Sequence, residues 1–282
     1  METIISTCKN CGHAINGKYC SACGQKVYTH HDKKVSHFFE EGLHFLTHFE
    51  GSFFTTLKTI FSRPGKLSLE YCDGIRKKYF KPLSFFLLLV VVYLLFPAFE
   101  GLNMRLHYYA THPVIGAYAS QKIAALLEHQ QLSPEQLADK FHQQSEKASK
   151  FLLLVIIPFT ALLCYLMTFK KRRYFFDQMI FSAEVSSLFL LWTFLLLGLL
   201  FRLSEIIYKA IVGHFFELTD NSLGSFAYGT FAVFVFVAAR RFYAFRAWQT
   251  ILFTLGFLIG FYVIVNWLYK FLLFALVINQ IH

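Results

Sequence analysis

Charge is what this sequence has least of. Asp, Glu, Lys and Arg fill 16% of its 282 positions, against roughly 25% in soluble domains. Apolar residues take up 56%, with 35 Phe and 15 Tyr among them. A soluble fold of this length would have to leave much of that surface in water, whereas a bilayer absorbs it. There is no Gly-rich phosphate loop, no nucleophile elbow and no His-Glu-x-x-His, so the common phosphoryl-transfer, esterase and metalloprotease constellations are excluded. The first long apolar run begins near Pro82, too late for an N-terminal signal peptide, which is therefore not expected. The run from Pro82 is expected to be an uncleaved anchor, with the residues before it in the cytosol.

Cysteine is scarce and unevenly placed. Four of the six lie at the start, as Cys8-Lys-Asn-Cys11-Gly12 and Cys20-Ser-Ala-Cys23-Gly24. Paired Cys-x-x-Cys knuckles suit a closed, tetrahedral, structural Zn2+ site. The glycine after each pair suits the positive φ at which backbone curls around a sulfur. Thiolates persist where the compartment is reducing, which again puts this end in the cytosol. Zinc binding of roughly 10–16 kcal/mol would supply most of the folding energy of so small a unit. A disulfide pair and a redox Cys-x-x-Cys are the competing readings. A closed site leaves no coordination position for catalysis.

The expected fold is an all-α integral membrane protein: a zinc ribbon at 1–27, an amphipathic juxtamembrane collar at 28–81, and a transmembrane helical bundle at 82–282. In the collar, the apolar positions between Val35 and Phe49 fall largely on one helical side and His37, Glu41, His44 and His48 on the other. That pattern reads as an interfacial helix, with a second metal site as the alternative. A short apolar stretch, Phe53 to Phe61, is stopped by the turn Arg63-Pro64-Gly65 and is too short to span.

About five spans are expected, near 82–99, 151–169, 179–201, 222–239 and 248–269, with the fourth the least secure. The last apolar run continues to Ile278, about 46 Å as one helix, so it should tilt, break near Asn266 to Lys270, or protrude. Gly256 and Gly260 offer a face for close helix approach. With the head inside, the inner stretches 1–81, 170–178 and 240–247 hold 19 Lys/Arg against 8 acids. The outer stretches 100–150 and 202–221 hold 7 against 8. This is the positive-inside pattern, and it puts the C-terminus outside. Topology thus accounts for the net charge of +10, and nucleic acid is not an expected partner. The expected partners are anionic lipid headgroups and a cytosolic protein docking on the ribbon. Oligomeric state is left open.

Polar residues near the membrane supply the other candidates. The block from Glu70 to Pro82 contains Glu70, Tyr71, Asp73, Gly74, Arg76 and Tyr79, with Lys77, Lys78 and Lys81. It reads first as a basic anchor on the headgroups and second as a polar site at the membrane face. Glu184 is an acid inside a span, where insertion costs about 2.5–3.5 kcal/mol at the centre. It can pair with Arg172 or Arg173, or serve a function. Asn266 reads as an interhelical bond. Residues 100–150 read as an extracytoplasmic helical loop with an N-terminal cap at Ser133-Pro134-Glu135-Gln136. His214, Glu217 and Asp220 form a weak alternative metal cluster.

The knuckles with Gly17, Tyr19 and Gln25, then Arg63-Pro64-Gly65, then Glu70-Tyr71, Gly74, Arg76, Tyr79 and Pro82, resemble in order the bacterial family called domain of unknown function 3667. The resemblance covers roughly residues 8–100. It implies a zinc-ribbon-headed inner-membrane protein and names no activity. Three roles follow for comparison. The first is a membrane-anchored interaction or regulatory protein. The second is a transporter or permease for a small solute or lipid, motivated by Glu184 and Asn266. The third is a membrane enzyme working at the inner headgroup region through Glu70, Asp73 and Arg76; with no catalytic constellation in the sequence, enzyme activity is not the leading expectation.

Overall fold

The structure is a computed structural model that describes residues 6–15, 17–27, 51–95, 102, 104–168, 171, 174–213 and 220–281. The collar helix expected between Val35 and Phe49, with its histidines, lies outside these residues, as do His214 and Glu217. The described chain is almost wholly helical. The exception is the head, a two-residue antiparallel hairpin of β1 (Ser6–Thr7) and β2 (Ala14–Ile15), followed by a Tyr19–Lys26 bridge.

Two short helices follow. α1 (Ser52–Ser62) ends at the expected turn, and α2 (Lys66–Cys72) begins directly after it. They do not lie on a flat surface. Thr56, Ile60, Leu67, Ser68, Tyr71 and Cys72 are buried, and Phe61 meets the rings of Trp192 and Phe234. The pair is packed into one end of the bundle, called here the head end.

The bundle is built from α3 (Pro82–Leu95), α7 (Ile156–Thr168), α8 (Phe175–Val212), α9 (Asp220–Tyr243) and α10 (Ala247–Ile278). Among the described residues three helices are long and apolar enough to cross a membrane: Phe175–Val212, Gly224–Tyr243 and Ala247–Ile278. A fourth is reached only if the bent pair Pro134–Ser149 and Leu153–Thr168 is a single span. Among the described residues the expected count of five is therefore not shown. The segment expected to be weakest, 222–239, passes, while the described parts of the first two fall short. α3 is apolar but has 14 described residues, about 21 Å at 1.5 Å per residue against a core of about 30 Å. In the second, Pro158 lacks an N–H and crowds the carbonyl four residues back, and the chain tightens into a 3-10 turn at Leu153–Val155. Hydropathy counts apolar segments; it does not see where a helix is interrupted.

The membrane character is visible on the surface. Ile251, Leu252, Leu255, Ile259 and Tyr262 are exposed along α10, where a soluble helix would be polar. Its inward face carries Phe253, Phe257 and Phe261, stacked in series. Gly256 and Gly260 face α7: an added methyl at Gly260 would run into Leu163, and one at Gly256 into the end of Met167.

Two helices exceed a bilayer. α8 has 38 residues and α10 has 32, about 57 and 48 Å. Each passes through a π-helical segment, Leu190–Leu196 and Ile264–Tyr269, and the second falls where a break was expected. Trp192 donates to Thr230 (2.8 Å), and Asn266 donates to Tyr228 (3.2 Å). Both widened segments are thus tied to α9, and Asn266 bonds between helices as read from the sequence.

Beyond its π segment, α10 protrudes into a far-end unit made of α4 (Leu106–Ala110), α5 (Gly116–Gln130) and α6 (Pro134–Leu152). α5 and α6 are helices where a helical loop was expected; α5 packs on α4, and α6 packs on the end of α10. Ser133 caps α6 with both bonds of a capping box to Gln136. The rings of Tyr109, Phe141 and Phe274 meet edge-on or tilted in its core, and Gln130 donates to the Ile281 carbonyl.

Candidate metal centre and its seat on the bundle

The two knuckles repeat each other atom for atom. Cys8 N donates to His13 O and Gly12 N to Cys8 O; Cys20 N donates to Gln25 O and Gly24 N to Cys20 O, all at 2.8 Å. Gly12 (φ 77°) and Gly24 (φ 69°) are left-handed, as the sequence required. These loops bring Cys8 to 3.6 Å from Cys23 and Cys11 to 3.6 Å from Cys20, sulfur to sulfur. All four sulfurs lie within 4.8 Å of one another. A disulfide needs about 2.05 Å, and all four cysteines are free. Four thiolates about 2.3 Å from one tetrahedral metal stand about 3.8 Å apart, which these spacings fit. Among the described residues this is the one group arranged to hold a metal. His13 takes part through its backbone.

The head is seated on the loop that follows α2. Gln25 is buried, and its amide serves three backbone groups there. Nε2 donates to Gly74 O at 2.5 Å, and Oε1 accepts from Arg76 N and Lys77 N, both at 3.3 Å. Each side of the seam also lays a lysine over the other side's glycine. Lys77 Nζ lies 3.2 Å from where a Cβ of Gly24 would stand, and Lys9 Cγ 3.5 Å from that of Gly74. Gly74 has φ 105°, a value that L side chains resist. Gln25 appears in the sequence only as part of a motif; nothing in its type announces this role.

The six candidates at the membrane face divide into separate arrangements. Glu70 accepts from Tyr79 Oη (2.6 Å) and Lys78 Nζ (2.7 Å) and pairs with Lys66 (3.2 Å). Partial burial works against its charge, but those three hydrogen bonds outweigh it and hold the carboxyl below its ordinary range. Burial, then the bond to Glu70, pushes the Tyr79 phenol up. Arg76 is buried elsewhere. Its guanidinium lies over the rings of Tyr71 (5.1 Å) and Phe176 (5.2 Å), and its Nε donates to Tyr71 O (3.3 Å). Asp73 is exposed, and Gly74 belongs to the seat.

Glu184 is used up. Its Oε1 accepts from Gly65 N (2.7 Å), and its Oε2 accepts from Ser68 N (2.8 Å) and from the Ser68 hydroxyl. These amides open α2, whose own start offers no side-chain cap. A carboxylate from a long apolar helix therefore caps a neighbouring helix across 116 positions or more of sequence. Its expected partners Arg172 and Arg173 lie outside the described residues. A basic residue still reaches this turn: Arg241 of α9 donates to Pro64 O. Gly65 has φ 79° and rests against the backbone of Ala238. Neither Ser68 nor Arg241 carried any signal of this in the sequence.

The head, its seat, the capped turn, Arg241 and Lys171, which lies over the Phe245 ring, thus share one end of the bundle. Fold and site together define a helical membrane protein with a small four-cysteine head. Residues 50–94 match the family described as Protein of unknown function (DUF3667), a similarity that covers that segment alone. The match takes in Arg63-Pro64-Gly65 and the Glu70 to Pro82 block but not the knuckles, so it is narrower than the resemblance read from the sequence. No curated protein and no solved structure matches the chain.

Proposed function

We propose that this chain is a bacterial inner-membrane protein whose four-cysteine head holds zinc in the cytosol and acts as a membrane-anchored interaction or regulatory module. Cys8, Cys11, Cys20 and Cys23 would ligate the ion, which supplies a structural crosslink and no reaction. The observation that carries this reading is the seating of a metal-competent head directly on the loop between Gly74 and Lys77. Two further observations support it. Lys171 and Arg241 lie at the same end as the head, as the positive-inside rule asks of a cytosolic face. Lys77, Lys78 and Lys81 stand at that end for anionic headgroups. Glu184, the main motive for a transporter, has its oxygens filled by Gly65 and Ser68 and so offers a solute little.

Tyr19, 63% exposed on the head, is the position from which to find a protein partner. A photo-crosslinking residue there, in cells, should give adducts that vanish when Cys8→Ser removes a metal ligand. Identical adducts with and without that substitution, or none in either, would overturn the proposal.

A further inference from the structure

We propose that the head is a metal-dependent latch: with metal bound, Gln25 clamps the Gly74–Lys77 loop to the bundle, and without metal that loop is released. This rests on the reading that the four cysteines hold zinc.

The argument starts from the size of the head. Its buried apolar cluster is Cys8, Ile15 and Cys20, with Cys23 and Val27 packed alongside. That is far too little to fold a chain without a crosslink. Three of those five residues are themselves metal-ligand candidates, so the core and the metal site are nearly the same object. Gln25 is bound into this object by its main chain, because its carbonyl accepts from Cys20 N and closes the second knuckle. Metal therefore fixes the Gln25 backbone, and the backbone aims the side chain.

The side chain then satisfies one carbonyl and two amides of the loop. Gly74 and Ile75 donate back to α2, but those three groups are met by the glutamine and depend on its being in place. The lysine stems laid over Gly24 and Gly74 complete the fit from both sides. Downstream, the loop holds Arg76 between the rings of Tyr71 and Phe176, and Phe176 lies in the first turn of α8. Occupancy of the head is thereby linked, through Gln25 and Arg76, to the start of a long apolar helix.

Hydrogen exchange on the full-length, detergent-solubilised protein, with zinc measured on the same samples, tests this. In Gln25→Ala the Arg76 and Lys77 amides should exchange at least tenfold faster while zinc content is unchanged. A zinc chelator should bring the wild type to the same rate, add nothing in the variant, and be reversed by returning zinc. If the wild type carries no zinc, the metal reading and the latch both fall. If it carries zinc and neither the substitution nor the chelator changes exchange at those two amides, the latch alone falls.

Discussion

A carboxylate within an apolar helix must find donors, and Glu184 finds three on a single short stretch: two amides and a hydroxyl at the start of α2. Removing such donors from a buried charged acceptor costs a few kcal/mol, so the Arg63-Pro64-Gly65 turn has little freedom to move. Gly65 is the most constrained part of it, because it is left-handed and has the Ala238 backbone where a side chain would begin. Gly65→Ala should therefore destabilise the protein by about 2 kcal/mol or more, measured by reversible unfolding in detergent. A change below about 0.5 kcal/mol would show that the turn does not pack as described. Much at this scale was legible. The knuckle glycines, the turn and the cap at Ser133 follow from local backbone chemistry. The partners of Glu184 and Gln25 do not, since each lies dozens of positions away and the donors are mostly main-chain amides, which every residue has.

Elements were legible where one local pattern decides them. α6 starts at the expected cap on Ser133, and α10 widens into a π segment where a break was expected. The number of spans was not legible, because it depends on whether the bent pair Pro134–Ser149 and Leu153–Thr168 counts as one crossing, which an apolar run does not reveal. The paired glycines of α10 marked a face for close helix approach, but only the fold shows that α7 takes it and that their burdens are unequal. At Gly256 an added methyl meets the flexible tip of Met167, whereas at Gly260 it meets both methyls and the branch carbon of Leu163. Gly260→Ala should accordingly cost about 1–3 kcal/mol, and Gly256→Ala clearly less, in the same unfolding measurement. Equal costs at the two positions would mean that α7 does not approach α10 on this face.

For the whole molecule, the sequence separates a head, a collar and a bundle, and the fold brings parts of all three together at one end. The docked head meets the loop after α2, the α1–α2 turn is capped from α8, and α9 reaches the same turn through Arg241. The composition that reads as membrane does show as helices long and apolar enough to cross one. It is silent on how a small metal-competent head engages them, because that contact is made by one glutamine and a few backbone groups. Everything in the proposed role passes through the state of the four cysteines. Elemental analysis of the purified full-length chain under reducing conditions tests this most directly. One zinc ion per chain is expected, falling to none in Cys11→Ser with Cys20→Ser; a wild-type chain free of zinc, or one whose zinc survives those substitutions, would contradict it.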